Sequence, residues 1–241
     1  MVLGTLAIAC SVVFLVFIPL HSYIPWQVQL SIKVMPALLL AGAVHAGDAA
    51  RRHRVSAALV MCAYGDAFLA CPPLGPNGFT AGLGAFLFAH LLFASAFFPE
   101  RNRSLSRRAT CLRVLPYAIV WGGMYAALFP HLEGALRIAV ALYAAALTGM
   151  AATTALRGSS DVPPDSYVYA VVGSTFFLCT DGLLSIYHFR VFGHLPFETE
   201  LFIMATYYAA VAGLARSKML CAPPAPPAPA AYTALPPDAV V

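Results

Sequence analysis

Charge is what this chain has least of. Of its 241 residues only 24 are Asp, Glu, Lys or Arg, a share of 10% where a soluble domain carries roughly a quarter. So few charges cannot clothe a soluble surface of this size. The shortage excludes an ordinary cytosolic enzyme, a disordered chain and a nucleic-acid binder. Paired cysteines are also missing. Cys10, Cys62, Cys71, Cys111, Cys179 and Cys221 are scattered and form no CxxC pair, which argues against a zinc ribbon and a disulfide framework. A dinucleotide loop is missing as well. Gly82-Leu83-Gly84 lacks the third glycine and lies in an apolar run, the setting of close helix packing. The first apolar run has no basic leader and no small-residue cleavage site after it, so it is expected to be a retained span.

What the chain has instead is apolar length. It is 61% hydrophobic, and eight apolar runs stand out, at about residues 3–20, 28–46, 55–71, 79–98, 113–129, 134–155, 167–187 and 198–215. A span needs about 20 such residues at ~1.5 Å rise each. The breaks carry turn chemistry, as in Pro72-Pro73-Leu74-Gly75-Pro76-Asn77-Gly78, Phe129-Pro130-His131 and Asp161-Val162-Pro163-Pro164-Asp165. In lipid every backbone polar group must be paired within its segment. The expected fold is therefore all-α, a polytopic membrane bundle of eight transmembrane helices over residues 1–216. Residues 217–241 turn Ala/Pro-rich and read as a disordered tail.

Basic residues set the expected orientation. Arg51, Arg52, Arg54, Arg101, Arg103, Arg107, Arg108, Arg113, Arg157, Arg216 and Lys218 fall on one side, and only Arg137 and Arg190 on the other. Both termini are then cytoplasmic, which makes the tail cytoplasmic too. The sequon Asn102-Arg103-Ser104 lies in the most basic loop and is expected to stay unglycosylated.

Ionisable residues inside spans are costly and are functional candidates by default. Lys33, Asp66, His90 and Asp181 qualify. Counting from the run ends puts Asp66 and Asp181 each ~8–9 Å from the non-cytoplasmic end. Lys33 comes to a similar depth, His90 is nearer the midplane, and Tyr207 and Tyr208 sit between the two levels. Each has a plainer alternative. Lys33 can snorkel, the aspartates can be interhelical glue or partners of Lys33, and His90 can be a hydrogen-bonded core histidine. With one histidine in the set, a zinc site would need carboxylates and water as its other ligands, and no metal is expected.

The same residues carry a resemblance. Lys33-Val34-Met35-Pro36 is followed by Gly65-Asp66-Ala67-Phe68-Leu69, Gly84-Ala85-Phe86 and His90-Leu91-Leu92-Phe93. Then come Asp181-Gly182-Leu183-Leu184, Pro196 and Ile203-Met204-Ala205-Thr206-Tyr207-Tyr208. This order over about residues 28–215 resembles the lysoplasmalogenase family of multi-pass membrane proteins of bacteria and animal endoplasmic reticulum. Three positions depart from the family pattern. Thr180 stands where Ser is usual, Val211 where Gln is common, and Tyr187 or His188 where Asn or Asp often follows the seventh run.

The resemblance implies hydrolysis of the vinyl ether of lysoplasmalogens to a fatty aldehyde and a glycerophospho head group, without a cofactor, in the endoplasmic reticulum membrane. It implies a lysophospholipid substrate and membrane lipids as partners; a homodimer is left open. The residues suit that chemistry. Protonating the β-carbon gives an oxocarbenium ion, water adds, and the hemiacetal collapses. One acid and one anion are needed, and two carboxyls in a low-dielectric site can divide those roles. Asp66 and Asp181 are the candidates, with the assignment between them open. Lys33 would hold the ionised carboxylate or the lipid phosphate, while His90, Thr180, Tyr207 and Tyr208 would line the pocket. A proton-coupled transporter or lipid-binding protein built on the same Asp and Lys residues is the alternative, and a scaffold held by buried charges is a third.

Overall fold

The computed structural model describes residues 2–46, 50–158, 162–192 and 198–221. Over these it is all-helical, with eight α-helices and no strand. They are α1 (Val2–Phe17), α2 (Trp26–His45), α3 (Ala50–Leu69), α4 (Pro76–Phe97), α5 (Arg107–Leu128), α6 (Ala135–Ala155), α7 (Pro164–His188) and α8 (Glu198–Leu220). Six are long and apolar enough to cross a membrane, α1 together with the short 3₁₀ turn that follows it. Helices α3 and α8 are as long, but Arg52, Arg54 and Asp66 on one and Glu198, Glu200, Arg216 and Lys218 on the other lower their hydropathy.

Most consecutive helices pack as antiparallel neighbours, but α4 packs on α6 and not on α5. The α7–α8, α3–α4 and α2–α3 pairs are the most extensive, and α8 also touches α1, α2 and α3. Helix α5 lies at the periphery, against α6 and a little of α7. Small residues set the close approaches. A Cβ on Gly173 of α7 would stand 2.9 Å from the Ala210 carbonyl oxygen of α8. A Cβ on Gly65 of α3 would stand 2.5 Å from the Phe86 ring of α4. Without a hydrophobic drive between helices in lipid, such small-residue seams carry the packing.

The end of the bundle with the α2–α3, α4–α5 and α6–α7 connections is pinned by a buried ion cluster. Arg157 Nη2 lies 2.6 Å from Glu100 Oε2, and Lys218 Nζ bonds to Glu100 Oε1 and, at 3.1 Å, to the Ala96 carbonyl. Arg157 also donates to Ser217 Oγ at 2.9 Å and Ser166 Oγ at 3.0 Å, and its guanidinium lies over the Phe97 ring. Two basic residues expected in loops are thus core residues. They are the reason α8 continues through Ser217–Leu220, which the sequence assigns to the tail: Ser217 and Lys218 are buried and bonded. The remainder of the expected tail, residues 222–241, lies outside the described residues, as do His194 and Pro196.

Candidate active site

Near the opposite end, six helices bring polar side chains into an otherwise apolar core. The Asp66 carboxylate of α3 is buried, and Tyr207 of α8 donates its hydroxyl to Oδ2 at 2.6 Å. The Asp181 carboxylate of α7 is buried as well. Its Oδ2 accepts from Tyr143 of α6 at 2.6 Å and lies 3.2 Å from His90 Nε2 of α4. His90 Nε2 is also 3.1 Å from the Tyr143 hydroxyl, and its Nδ1 has no partner among the described residues. The carboxyls thus occupy two cradles, and they lie within electrostatic reach of each other. Phe86 and Phe177 pack edge-on against Tyr207, and Phe177 does so against His90, fixing both rings.

Helix geometry explains the gathering. Gly65 precedes Asp66 and lets Phe86 seat directly on α3 beside the carboxylate. Pro36 interrupts the hydrogen-bond ladder of α2, and close to that interruption the Lys33 carbonyl accepts from the Tyr208 hydroxyl at 3.2 Å. Tyr208 therefore ties α8 to α2 and packs against Phe14 of α1. Thr180 donates to Thr206 at 2.8 Å and ties α7 to α8. Lys33 is half-buried, makes no side-chain hydrogen bond or ion pair among the described residues, and lies within electrostatic reach of Asp66.

Two cavities open at this end. One, of about 460 Å³, is bordered by Lys33, Trp26, Gln29, Glu200, Phe79 and His188, among others. The other, of about 30 Å³, is bordered by Asp181, Tyr143, Ser185, Phe86 and Leu83. Leu69 and Phe79 border both, and the Phe79 ring is stacked on His188 at 3.6 Å. The smaller space has the size of a water or two. Asp181 and Lys33 thus face open space, whereas Asp66, His90, Tyr207, Tyr208 and Thr180 border neither cavity.

The sequence placed His90 deeper than the aspartates, yet it touches Asp181. Tyr143 is a site residue that the charge pattern does not mark. A lone tyrosine inside an Ala-rich run is a signal of the same kind as Tyr207. Cys62, one turn before Asp66, is buried and within reach of both carboxyls and Tyr207. Among the described residues no group of three or more metal-ligating side chains is gathered.

Comparison with known proteins adds what geometry alone leaves open. The YhhN family model matches residues 28–218. The chain belongs to the YhhN family. Among its relatives, "Lysoplasmalogenase" of Mycobacterium tuberculosis is 32% identical over 165 residues, 68% of this chain and 60% of that protein. "Lysoplasmalogenase TMEM86B" of Mus musculus is 33% identical over 211 residues, 86% of this chain and 82% of that protein. The human protein of the same name is 31% identical over 212 residues, again 86% and 82%. The chain therefore spans about 60% of the length of the mycobacterial relatives it matches and most of the mammalian ones. No solved structure matches it. Both carboxylate cradles fall inside the family match, and so do the two glycines at the close helix approaches.

Proposed function

We propose that this protein is a lysoplasmalogenase, a hydrolase that splits the vinyl ether of a lysoplasmalogen into a fatty aldehyde and a glycerophospho head group. The observation that carries the reading is Asp181, a buried carboxylate held by Tyr143 and His90 and bordering a water-sized cavity. The family's relatives named as lysoplasmalogenases support it and do not favour the transporter alternative.

The reaction adds H₂O across R–CH=CH–O–R′. A proton goes to the β-carbon, water adds to the carbon bearing oxygen, and the hemiacetal collapses to R–CH₂–CHO and HO–R′. Asp181 is the anion of this scheme. Tyr143 donates to its Oδ2, and His90 Nε2 lies 3.2 Å from the same oxygen. Asp181 orients water in the small cavity and faces the oxocarbenium ion as positive charge develops. Asp66, with a single side-chain donor from Tyr207, is the proton donor. Lysolipid reaches Asp181 through the larger cavity once Phe79, which borders both spaces, leaves its stack on His188, and the opening has to extend to Asp66, which borders neither space. The glycerol oxygen departs with a proton returned from the site.

All eight helices span the endoplasmic reticulum membrane in this reading, and among the charges of α3 and α8 Asp66 is bonded to Tyr207 and Lys218 to Glu100. The termini are cytoplasmic. Setting aside the buried Arg157 and Lys218, nine basic residues remain on that side against two on the other. The site then opens toward the lumenal leaflet.

The test is substitution of the two carboxyls. Asp66→Asn and Asp181→Asn in purified protein are expected to lose at least ~10²-fold in aldehyde release while keeping the wild-type melting profile, because general acid catalysis alone is worth roughly 10²–10⁴. Activity within about threefold of wild type in either variant is incompatible with a two-carboxyl mechanism.

A further inference from the structure

The smaller cavity, of about 30 Å³, has an uneven lining. Its α4 wall, with Phe79, Leu83 and Phe86, is apolar. Its α7 wall holds Asp181 and, one turn further along, Ser185. Of the described residues that border this space, only Asp181, Ser185 and Tyr143 carry a polar side chain. Two of these are engaged already. Asp181 Oδ2 accepts from Tyr143 at 2.6 Å and lies 3.2 Å from His90. Tyr143 thus has its one proton on that oxygen, and its own oxygen lies 3.1 Å from His90 Nε2. What is left is Asp181 Oδ1 and the hydroxyl of the half-buried Ser185, neither of which makes a hydrogen bond among the described residues.

Residues four apart on a helix stand side by side, with Cβ atoms about 5–6 Å apart. A carboxylate oxygen and a hydroxyl at that spacing are roughly two hydrogen bonds apart, and one water fits between them. We propose that Ser185 is the second holder of the hydrolytic water, with Asp181 Oδ1 the first. The proposal rests on the lysoplasmalogenase reading and adds the group that aims the nucleophile. The water gives one O–H to Asp181 Oδ1 and the other to Ser185 Oγ, which has two lone pairs to accept it. With both protons held by α7, its own lone pairs turn away from that helix. Phe79 and Leu69 separate the seat from the larger cavity through which the lipid arrives. His188 follows Ser185 on the same face of α7 and borders that larger cavity, so a polar stripe leads from it to the seat. At attack the water oxygen bonds to the oxocarbenium carbon. The O–H held by Asp181 breaks and its proton passes to Oδ1. The O–H held by Ser185 stays and becomes the hemiacetal hydroxyl.

A seat that takes both protons of its nucleophile discriminates against methanol, which has one. Purified full-length wild type and Ser185→Ala are therefore given an alkenyl lysolipid in buffer with and without dilute methanol. Mass spectrometry reads the fatty aldehyde and the mixed methyl acetal, the product of adding CH₃OH across the double bond. In wild type the aldehyde dominates. In Ser185→Ala kcat falls by about three- to tenfold, the scale of one hydrogen bond in the transition state, while KM is unchanged. The acetal:aldehyde ratio rises by about three- to tenfold. That ratio is set within each turnover, so it reads the seat whatever fraction of the variant is folded. A ratio that stays at the wild-type value in Ser185→Ala overturns the seat even where kcat falls, because a merely structural serine alters the amount of active enzyme and not its choice of nucleophile. A wild type that forms neither product removes the enzyme reading and the seat with it, and the wild-type arm alone tells the two failures apart.

Discussion

Tyr143 on α6 donates its hydroxyl to Asp181 on α7 at 2.6 Å. The same oxygen lies 3.2 Å from His90 on α4, so one carboxylate oxygen joins three helices. The second carboxyl, Asp66, has its own tyrosine, Tyr207, at 2.6 Å. A pair of aspartates in an apolar bundle thus becomes two separately held groups, one of which meets open space.

Removing that hydroxyl tests the cradle. Tyr143→Phe keeps the ring that packs edge-on against His90 and deletes one charge-assisted hydrogen bond, worth roughly 1.5–3 kcal/mol. Aldehyde release is expected to fall about ten- to a hundredfold, with a melting temperature lowered by no more than about 10 °C. An active Tyr143→Phe enzyme would show that the bond is structural only.

The seat of Phe86 on Gly65 can be tested by compensation. Gly65→Ala forces its Cβ against the ring, now 2.5 Å away, and overpacking of this kind costs about 1–3 kcal/mol. Thermal stability in detergent should drop, and a second change, Phe86→Leu, should restore most of it. Equal destabilisation by the single and the double variant would mean that this contact does not limit the α3–α4 approach.

At the other end of the bundle, Glu100→Gln leaves Arg157 and Lys218 buried beside a neutral partner. Breaking a buried pair on one side costs about 3–5 kcal/mol. A melting temperature lowered by ~10 °C is expected, with KM and kcat preserved in the protein that remains folded, because the cluster lies far from both cavities. A wild-type melting profile would contradict the pinning role.

Sidedness needs a probe other than the native sequon. The Asn102 side-chain amide donates to the Gly158 carbonyl at 2.6 Å, so its modification depends on the folding of the loop as well as on its side of the membrane. An epitope appended after residue 241 is a cleaner reporter. Protease added to sealed microsomes should remove it. Protection of the epitope would invert the topology and move the site to the cytoplasmic leaflet.

Much of this was legible in the residues. Lys33, Asp66 and Asp181 stand out because a charge in an apolar run has few reasons to be there, and two of the three border the cavities while Asp66 lies buried beside Tyr207. Depth counted along a run is less informative. It separates His90 from Asp181 by helix position, although a side chain can reach several ångströms along the axis to close that gap. Pairing is not legible at all. Arg157 and Lys218 read as loop charges, because their partner Glu100 lies 57 and 118 residues away in sequence and only the fold brings them together. Tyr208 matches Tyr207 in the sequence, yet neighbouring helix positions face different ways. One tyrosine bonds a carboxylate and the other the backbone of α2.

The most direct measurement of the central claim is fatty aldehyde released by the purified protein, read by mass spectrometry, from an alkenyl lysolipid and from its saturated alkyl-ether analogue. The alkyl ether has no double bond to protonate. The expected result is stoichiometric aldehyde and glycerophospho head group from the alkenyl lipid, nothing from the analogue, and nothing from either in Asp181→Asn. Absence of aldehyde from the alkenyl lipid, or equal cleavage of both, would contradict vinyl ether hydrolysis at this site.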